Sequence, residues 1–285
     1  VKGLNEMSEQ DYINGMLTRT GLYFSQSAMD KVRNTTFAVA GIGGVGAITV
    51  ELLARWGVKK FRLLDLDCYE PTNLNRQLFA TAATLGQSKI AAAAERIKAI
   101  NPHAEIEMSV QEMINNDNAL PFVMGAGFVV QNADRPSAKL LYLAARQCKV
   151  PLVNGYATVS GGRVQTFDFR TSECSSKLEE WWTKYKLNGA KPLDAMSPEE
   201  VRAFDKKFVH STAPSVNFVT NMVGCLIVAE AIKLLTGEGK CALYPNYLEF
   251  DTFDYKMKIR NSLSPLDPGN VKRIKGLVKR SFGNG

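Results

Sequence analysis

Three glycines, Gly41, Gly43 and Gly46, stand at the spacing G-x-G-x-x-G within GIGGVGA. Glycines so placed permit a tight turn, let backbone N–H groups approach a phosphate, and let a helix pack closely on a strand. The helix N-terminus then faces the anion. Such a motif needs a strand before it and a helix after it. TFAVA at 36–40 reads as that strand, and the stretch ending near Trp56 reads as that helix. Asp65 closes a second apolar run, FRLLDL, where an acid commonly accepts hydrogen bonds from a ribose; a solvated strand-end carboxylate is the plain alternative. Up to this point an NAD dehydrogenase and an ATP-using enzyme are equally good readings. The five cysteines, Cys68, Cys148, Cys174, Cys225 and Cys241, are scattered without a C-x-x-C pair, so neither a disulfide framework nor a cysteine zinc site is supported. His103 and His210, the only histidines, form no metal cluster, and no Ser, His and Asp triad is evident.

The next residues separate the two readings. Residues 67–77 read DCYEPTNLNRQ and residues 86–89 read GQSK. Together with the glycine turn they resemble the ThiF, MoeB and HesA family of ubiquitin-activating-enzyme-like adenylyltransferases. Its members share a glycine turn, a D-x-D pair, N-L-x-R-Q and G-x-x-K in that order. The resemblance runs from about Arg19 to Arg260. It implies activation of a carboxylate by ATP with release of pyrophosphate. It also implies an ATP site built from Gly41, Gly43, Gly44, Gly46, Asp65, Asp67, Asn73, Arg76, Gln77, Lys89 and Asp134, with Asp65 on the ribose and Asn73, Arg76 and Lys89 on the phosphates. The chemistry is coherent, because displacement at the α-phosphate concentrates negative charge that cations must meet. Arg76 offers a rigid fork of donors, Lys89 a mobile point charge and Asn73 an amide donor. Taken singly, Arg76 or Lys89 would be an ordinary solvated cation.

Residues 130–136, VQNADRP, occupy the place of the family's D-x-x-D-N segment. Asp134 matches the carboxylate that holds the magnesium bridging ATP, an arrangement suited to that cation. Gln131 and Arg135 depart from the pattern; Arg135 either contacts substrate or belongs to the start of the helix at Pro136. Arg19 lies at the family's distance for an arginine that enters the neighbouring subunit's ATP site, which implies a homodimer with residues 214–235 in its interface. Packing of that long apolar helix within one chain is the alternative. Many relatives bind zinc through two C-x-x-C pairs; Cys174 is followed by SSK, so no zinc is expected. Cys174 is the one cysteine in the crossover segment, where relatives carry a nucleophile, and Lys177 is its nearby cation. His103 reads as a surface turn residue, and His210 as a candidate for lining the acceptor channel.

These residues need a scaffold. Strand-like runs at 36–40, 61–66, 106–110, 127–131 and 150–154 alternate with helical stretches, which predicts an α/β, Rossmann-like, mostly parallel sheet. Runs at 163–169 and 248–254 predict antiparallel strands that extend it in the C-terminal half, beside a long helix at 214–235. The expected organisation is a helical arm at 1–34, a nucleotide-binding half at 35–155, a C-terminal half at 156–260 with a crossover loop at 171–212, and a basic tail at 261–285. With 285 residues, 45% hydrophobic and 22% charged, the chain can bury its own core. The net charge is +7, and Lys256 to Gly285 holds eight basic residues against Asp267 alone, so the rest is balanced. No domain-wide positive field argues for nucleic acid. The absence of a signal sequence predicts a cytoplasmic protein, and polar breaks in 216–235 argue against a membrane span. The expected substrate is the C-terminus of a ubiquitin-like sulfur carrier or a short peptide. Two alternatives remain: a tRNA threonylcarbamoyladenosine dehydratase-like enzyme using the basic tail on phosphates, and a non-catalytic scaffold subunit, which could dispense with the phosphate residues kept here.

Overall fold

The computed structural model describes residues 7–133, 136–172, 174, 191–207, 214–268 and 270–271. Two helices, α1 (Glu9–Leu17) and α2 (Gln26–Arg33), precede β1 (Thr36–Ala40). Then follow α3 (Gly46–Arg55), β2 (Lys60–Leu64), α4 (Lys89–Ile100), β3 (Glu105–Val110), α5 (Asn116–Val123), β4 (Phe128–Gln131), α6 (Lys139–Gln147) and β5 (Leu152–Ala157). The remainder gives β6 (Gly161–Phe167), α7 (Pro198–Lys207), α8 (Asn217–Thr236), β7 (Asn246–Asp251) and β8 (Lys256–Asn261).

All eight strands join one sheet in the order β3-β2-β1-β4-β5-β6-β7-β8. The first five run parallel, and β6, β7 and β8 continue antiparallel. The predicted fold class therefore holds, and the expected boundary at 155/156 falls inside β5. Strand order reverses between β1 and β4, and ligands of such sheets bind in the crevice beyond the C-terminal ends of the strands at that reversal.

Two cores cover the sheet. On one face Val50, Leu53 and Ala54 of α3 and Val219, Val223 and Ile227 of α8 pack over Phe37, Val39, Phe61 and Phe128. On the other, Phe122, Leu141 and Val201 from α5, α6 and α7 pack over Ala38, Val129 and Leu152. Alternate residues of one strand thus supply both cores, as the period-two geometry of a strand dictates. α8 is long and apolar enough to cross a membrane, yet half of that window is buried within the fold. It crosses α3 so closely that a Cβ on Gly224 would lie 2.3 Å from Ile48.

Two elements escaped the sequence reading. α5 carries Pro121 internally, and a capping box on Asn115 secures its start. β8 was not among the expected strands; its Lys256, Lys258 and Arg260 alternate with Met257 and Ile259 along the sheet edge. Arg260 binds Glu249 at 2.5 Å, and Lys256 binds Asp254 at 2.6 Å. Charges on an edge strand oppose pairing with another chain.

Candidate nucleotide site

β1 ends at Ala40, and the chain turns at once on Gly41, whose φ of +82° favours glycine. The Gly41 N–H donates to the Leu64 carbonyl of β2 at 2.8 Å. A Cβ on Gly41 would stand 2.6 Å from the Ala133 nitrogen, and one on Gly46 only 1.8 Å from the Gly41 oxygen. The protein's own backbone therefore demands the first and third glycines. Gly43 differs: its nearest neighbour would be the Gln77 amide at 3.7 Å, an ordinary contact. Space above the middle of the turn is what a phosphate approaching the backbone requires. α3 starts without a side-chain cap, leaving its N-terminal field open to an anion.

Asp65, just past β2, is 8% exposed. Its carboxylate accepts the Ile42 N–H of the glycine turn at 2.5 Å and the Asp67 N–H at 2.9 Å. Burial pushes its pKa above the ordinary aspartate value, against the opposing pull of Lys89 and the two N–H groups. Lys89 opens α4 nearly buried, its ammonium 2.9 Å from the exposed carboxylate of Asp67. The D-x-D and G-x-x-K segments are also stapled by backbone: Tyr69 N–H to the Gln87 carbonyl and Gly86 N–H to the Tyr69 carbonyl, both at 2.9 Å. The Tyr69 hydroxyl is buried without a partner beside Asp65, and burial followed by that negative charge drives its pKa upward.

A short helical turn at Pro71–Asn73 leads into the N-L-x-R-Q segment at 73–77. Asn73 Oδ1 accepts the Glu70 N–H, and the Arg76 guanidinium donates to the Thr72 carbonyl and to Asn75 Oδ1, each at 2.9 Å. Arg76 thus has neutral partners and no carboxylate among the described residues, so its charge is available to a ligand. Gln77 is 6% exposed at the Gly43 side, and its Oε1 has no partner. Asn75 Nδ2 donates to the Ser215 carbonyl, and a Cβ on Gly44 would lie 3.2 Å from Thr220, so the start of α8 backs the turn. Sequence reasoning assigned α8 to core or interface and missed this role.

Glycine turn, Asp65, Asp67 and Lys89 are therefore joined by hydrogen bonds and an ion pair, with Gln77 on the Gly43 side and Asn73 and Arg76 on the adjoining turn. Arg19 is exposed at the end of α1 and no bond joins it to this cluster. Asp134, Arg135 and His210 lie outside the described residues, as does Lys177. At the described start of the following segment, the buried Asp205 of α7 accepts the Ser137 N–H at 2.9 Å and its hydroxyl at 2.5 Å. No group of three acidic, histidine or cysteine side chains able to hold a metal occurs among the described residues. Cys174 is 6% exposed in the apolar core, and its thiol donates to the Ser172 carbonyl at 3.5 Å. His103 sits on the surface edge-on to Tyr12.

The arrangement offers an anion-binding turn, a carboxylate beside it and two cations near the same segment. Among known proteins, the model described as "ThiF family" matches residues 18–269. The molybdopterin-synthase adenylyltransferase of Salmonella typhimurium is 31% identical over 180 residues, which cover 61% of this chain and 71% of that protein. The tRNA threonylcarbamoyladenosine dehydratase of Haemophilus influenzae is 31% identical over 165 residues, 58% of this chain and 62% of that one. Escherichia coli MccB, solved with ATP, superposes with a TM-score of 0.67 at 19% identity over 88% of this chain and 72% of its own, a likeness of fold.

Proposed function

The chain belongs to the ThiF family and is an ATP-dependent adenylyltransferase, and from that premise we propose that it activates the C-terminal carboxylate of a ubiquitin-like carrier protein or a peptide. In this reaction a carboxylate oxygen forms a bond to the α-phosphorus, the bond to the bridging oxygen breaks, and pyrophosphate leaves with its electron pair. No proton has to move in that step, so the chain's task is placement and charge.

The observation that carries the reading is the joined cluster of glycine turn, Asp65, Asp67 and Lys89, with Arg76 free of any acidic partner among the described residues. The turn and α3 receive the phosphates, Lys89 and Arg76 meet the charge that grows on the departing pyrophosphate, and Asp65 holds the ribose while bracing the turn. Asp134 is proposed as the ligand of a magnesium ion, which when bound would neutralise phosphate charge. A homodimer, with Arg19 serving the partner's site, draws support from exposed Leu22 and Tyr23 beside it and from exposed Phe218 and Met222 on α8.

A dehydratase reading, acting on a carbamoylated tRNA base, is favoured by the dehydratase relative, which is as similar as the adenylyltransferase. Exchange of labelled pyrophosphate into ATP separates the two. A peptide or carrier with a free C-terminus should support exchange, and its amidated form should not; support from tRNA alone would decide for the second reading. Arg76→Ala should lower exchange by about 100- to 1000-fold, as loss of a charge-stabilising donor does, while leaving the melting temperature near that of the parent. Undiminished exchange in that variant would remove the phosphate assignment.

A further inference from the structure

Asn132, the residue after β4, fills an unspecified position of the VQNADRP segment matched to D-x-x-D-N, and it stands where strand order reverses, against the glycine turn. Its backbone is fully engaged there. Its N–H donates to the Ala40 carbonyl at 2.8 Å, and a Cβ on Gly41 would touch its carbonyl carbon at 2.7 Å. Its side chain is the opposite case: Nδ2 and Oδ1 are both buried, and neither has a hydrogen-bond partner. The adjacent Gln131 shows the local alternative, since its amide folds back onto the Ala133 carbonyl at 2.6 Å.

Native proteins rarely leave a buried donor and acceptor unmatched on one side chain, and where they do a ligand or functional constraint is the usual cause. Asn132 Nδ2 would lie 3.6 Å from a Cβ on Gly46, the first residue of the uncapped α3. A second amide converges on the turn from Gln77, more than nine-tenths buried, with Oε1 unmatched and Nε2 at 3.7 Å from a Cβ on Gly43. Two neutral amides thus flank a turn whose backbone already favours an anion. A neutral donor can add to such a site without pairing with Asp65 or Asp67 and so without cancelling its field.

We propose that Asn132 is a phosphate-contacting residue of the nucleotide site, its side-chain amide donating to an oxygen of the ATP triphosphate. Asn132 as a residue is only partly buried, and contact with a phosphate requires its side chain to turn toward the crevice. The inference rests on the ATP-dependent reading above and adds a contact that the glycine, N-L-x-R-Q and G-x-x-K elements do not supply.

The test is thermal unfolding of the full chain with and without ATP and magnesium chloride, together with pyrophosphate exchange. Asn132→Leu keeps the branched side-chain skeleton, with more bulk, and removes the unmatched amide. It should raise the melting temperature without nucleotide, cut the ATP-induced shift by more than about half, and raise KM for ATP by about 10-fold or more, the worth of one hydrogen bond to a charged group. Turnover at saturating ATP should stay within about threefold, a split that mere misfolding would not produce. Asn132→Asp, of the same shape, sets a carboxylate against the triphosphate and should abolish the ATP-induced shift, and it serves if the leucine variant fails to fold. Either folded variant with the parent's KM for ATP and the parent's shift overturns the proposal, as does a leucine variant that only loses stability. A parent chain that ATP does not stabilise removes the ATP reading and this inference together, whereas a responsive parent with indifferent variants removes this inference alone.

Discussion

Asp65 at the glycine turn and Glu51 midway along α3 are carboxylates of nearly equal burial, at 8% and 6% exposed, and the chain treats them in opposite ways. Glu51 is answered by charge: Arg55 donates to it at 2.6 and 2.8 Å, and Arg96 of α4 at 2.7 and 2.9 Å. Burial alone would raise its pKa, but the two arginines outweigh burial and hold it below the ordinary value. Asp65 receives two backbone N–H groups, while the nearest cation, Lys89, is committed to Asp67. There burial wins and the pKa is raised. The first arrangement ties α3 to α4 and is complete within the chain. The second holds a charge ready at a crevice and is the kind of unfinished electrostatics that marks a binding site.

The largest expected effect comes from a change that strikes both regions at once. Gly46 opens the same helix that carries Glu51, and the Cβ of Gly46→Ala would fall 1.8 Å from a backbone oxygen that no rotamer can move away. The turn and the seating of α3 should fail together, with a loss of about 3 kcal/mol or more and no ATP-induced shift in melting temperature. A variant that kept its ATP response would show that the turn adapts, and the geometric case for the third glycine would fall. A smaller effect should confine itself to one side of the comparison. Glu51→Gln removes the charge that Arg55 and Arg96 meet; these arginines are 54% and 45% exposed and regain water. The cost should be about 1–2 kcal/mol, and a chain of this size loses about 2–4 °C per kcal/mol. KM for ATP should stay within about twofold, and a larger rise would mean that the structural pair also serves the site.

How much of this was legible in the sequence follows from where each contact closes. The glycine turn sits within one strand, turn and helix unit, so its spacing located it; Asp67 and Lys89 were implied only by the family resemblance, and their pairing with each other appears only in the fold. Asn132 lies within VQNADRP, but its place becomes visible only once β1 and β4 are neighbours, which brings it beside Gly41 and Gly46. The Glu51–Arg96 pair likewise depends on how α3 meets α4, which no periodicity encodes. β8 was hidden because Lys256, Lys258 and Arg260 look like solvated charges until Glu249 of β7 is found across from them. Cys174 shows the reverse, since its place in the crossover segment suggested a nucleophile and burial among Phe167, Phe169 and Tyr142 could not be read from its neighbours in sequence.

The smallest effect is also the sharpest test of the comparison, because it predicts opposite slopes from two buried acids. A carboxyl whose folded pKa is lowered contributes stability that is present above its unfolded value, about 4.3 for glutamate, and lost as pH falls through the folded pKa. The penalty of Glu51→Gln should therefore be largest near neutrality and shrink on acidification. A carboxyl whose folded pKa is raised holds its proton more tightly in the native state, so its contribution is greatest below the unfolded value, about 3.9 for aspartate, and declines as pH rises through the folded pKa. Asparagine at 65 has no such proton, so the penalty of Asp65→Asn should be largest in acid and shrink toward neutrality, even though the amide gives up one of the two acceptors that hold Ile42 and Asp67. Melting temperatures of the parent and both variants across pH 3 to 7, roughly the span of carboxylate titration, decide the matter. Parallel trends in the two variants would mean that Asp65 is neutralised within the chain as fully as Glu51, and the charge assigned to the nucleotide crevice would not be there.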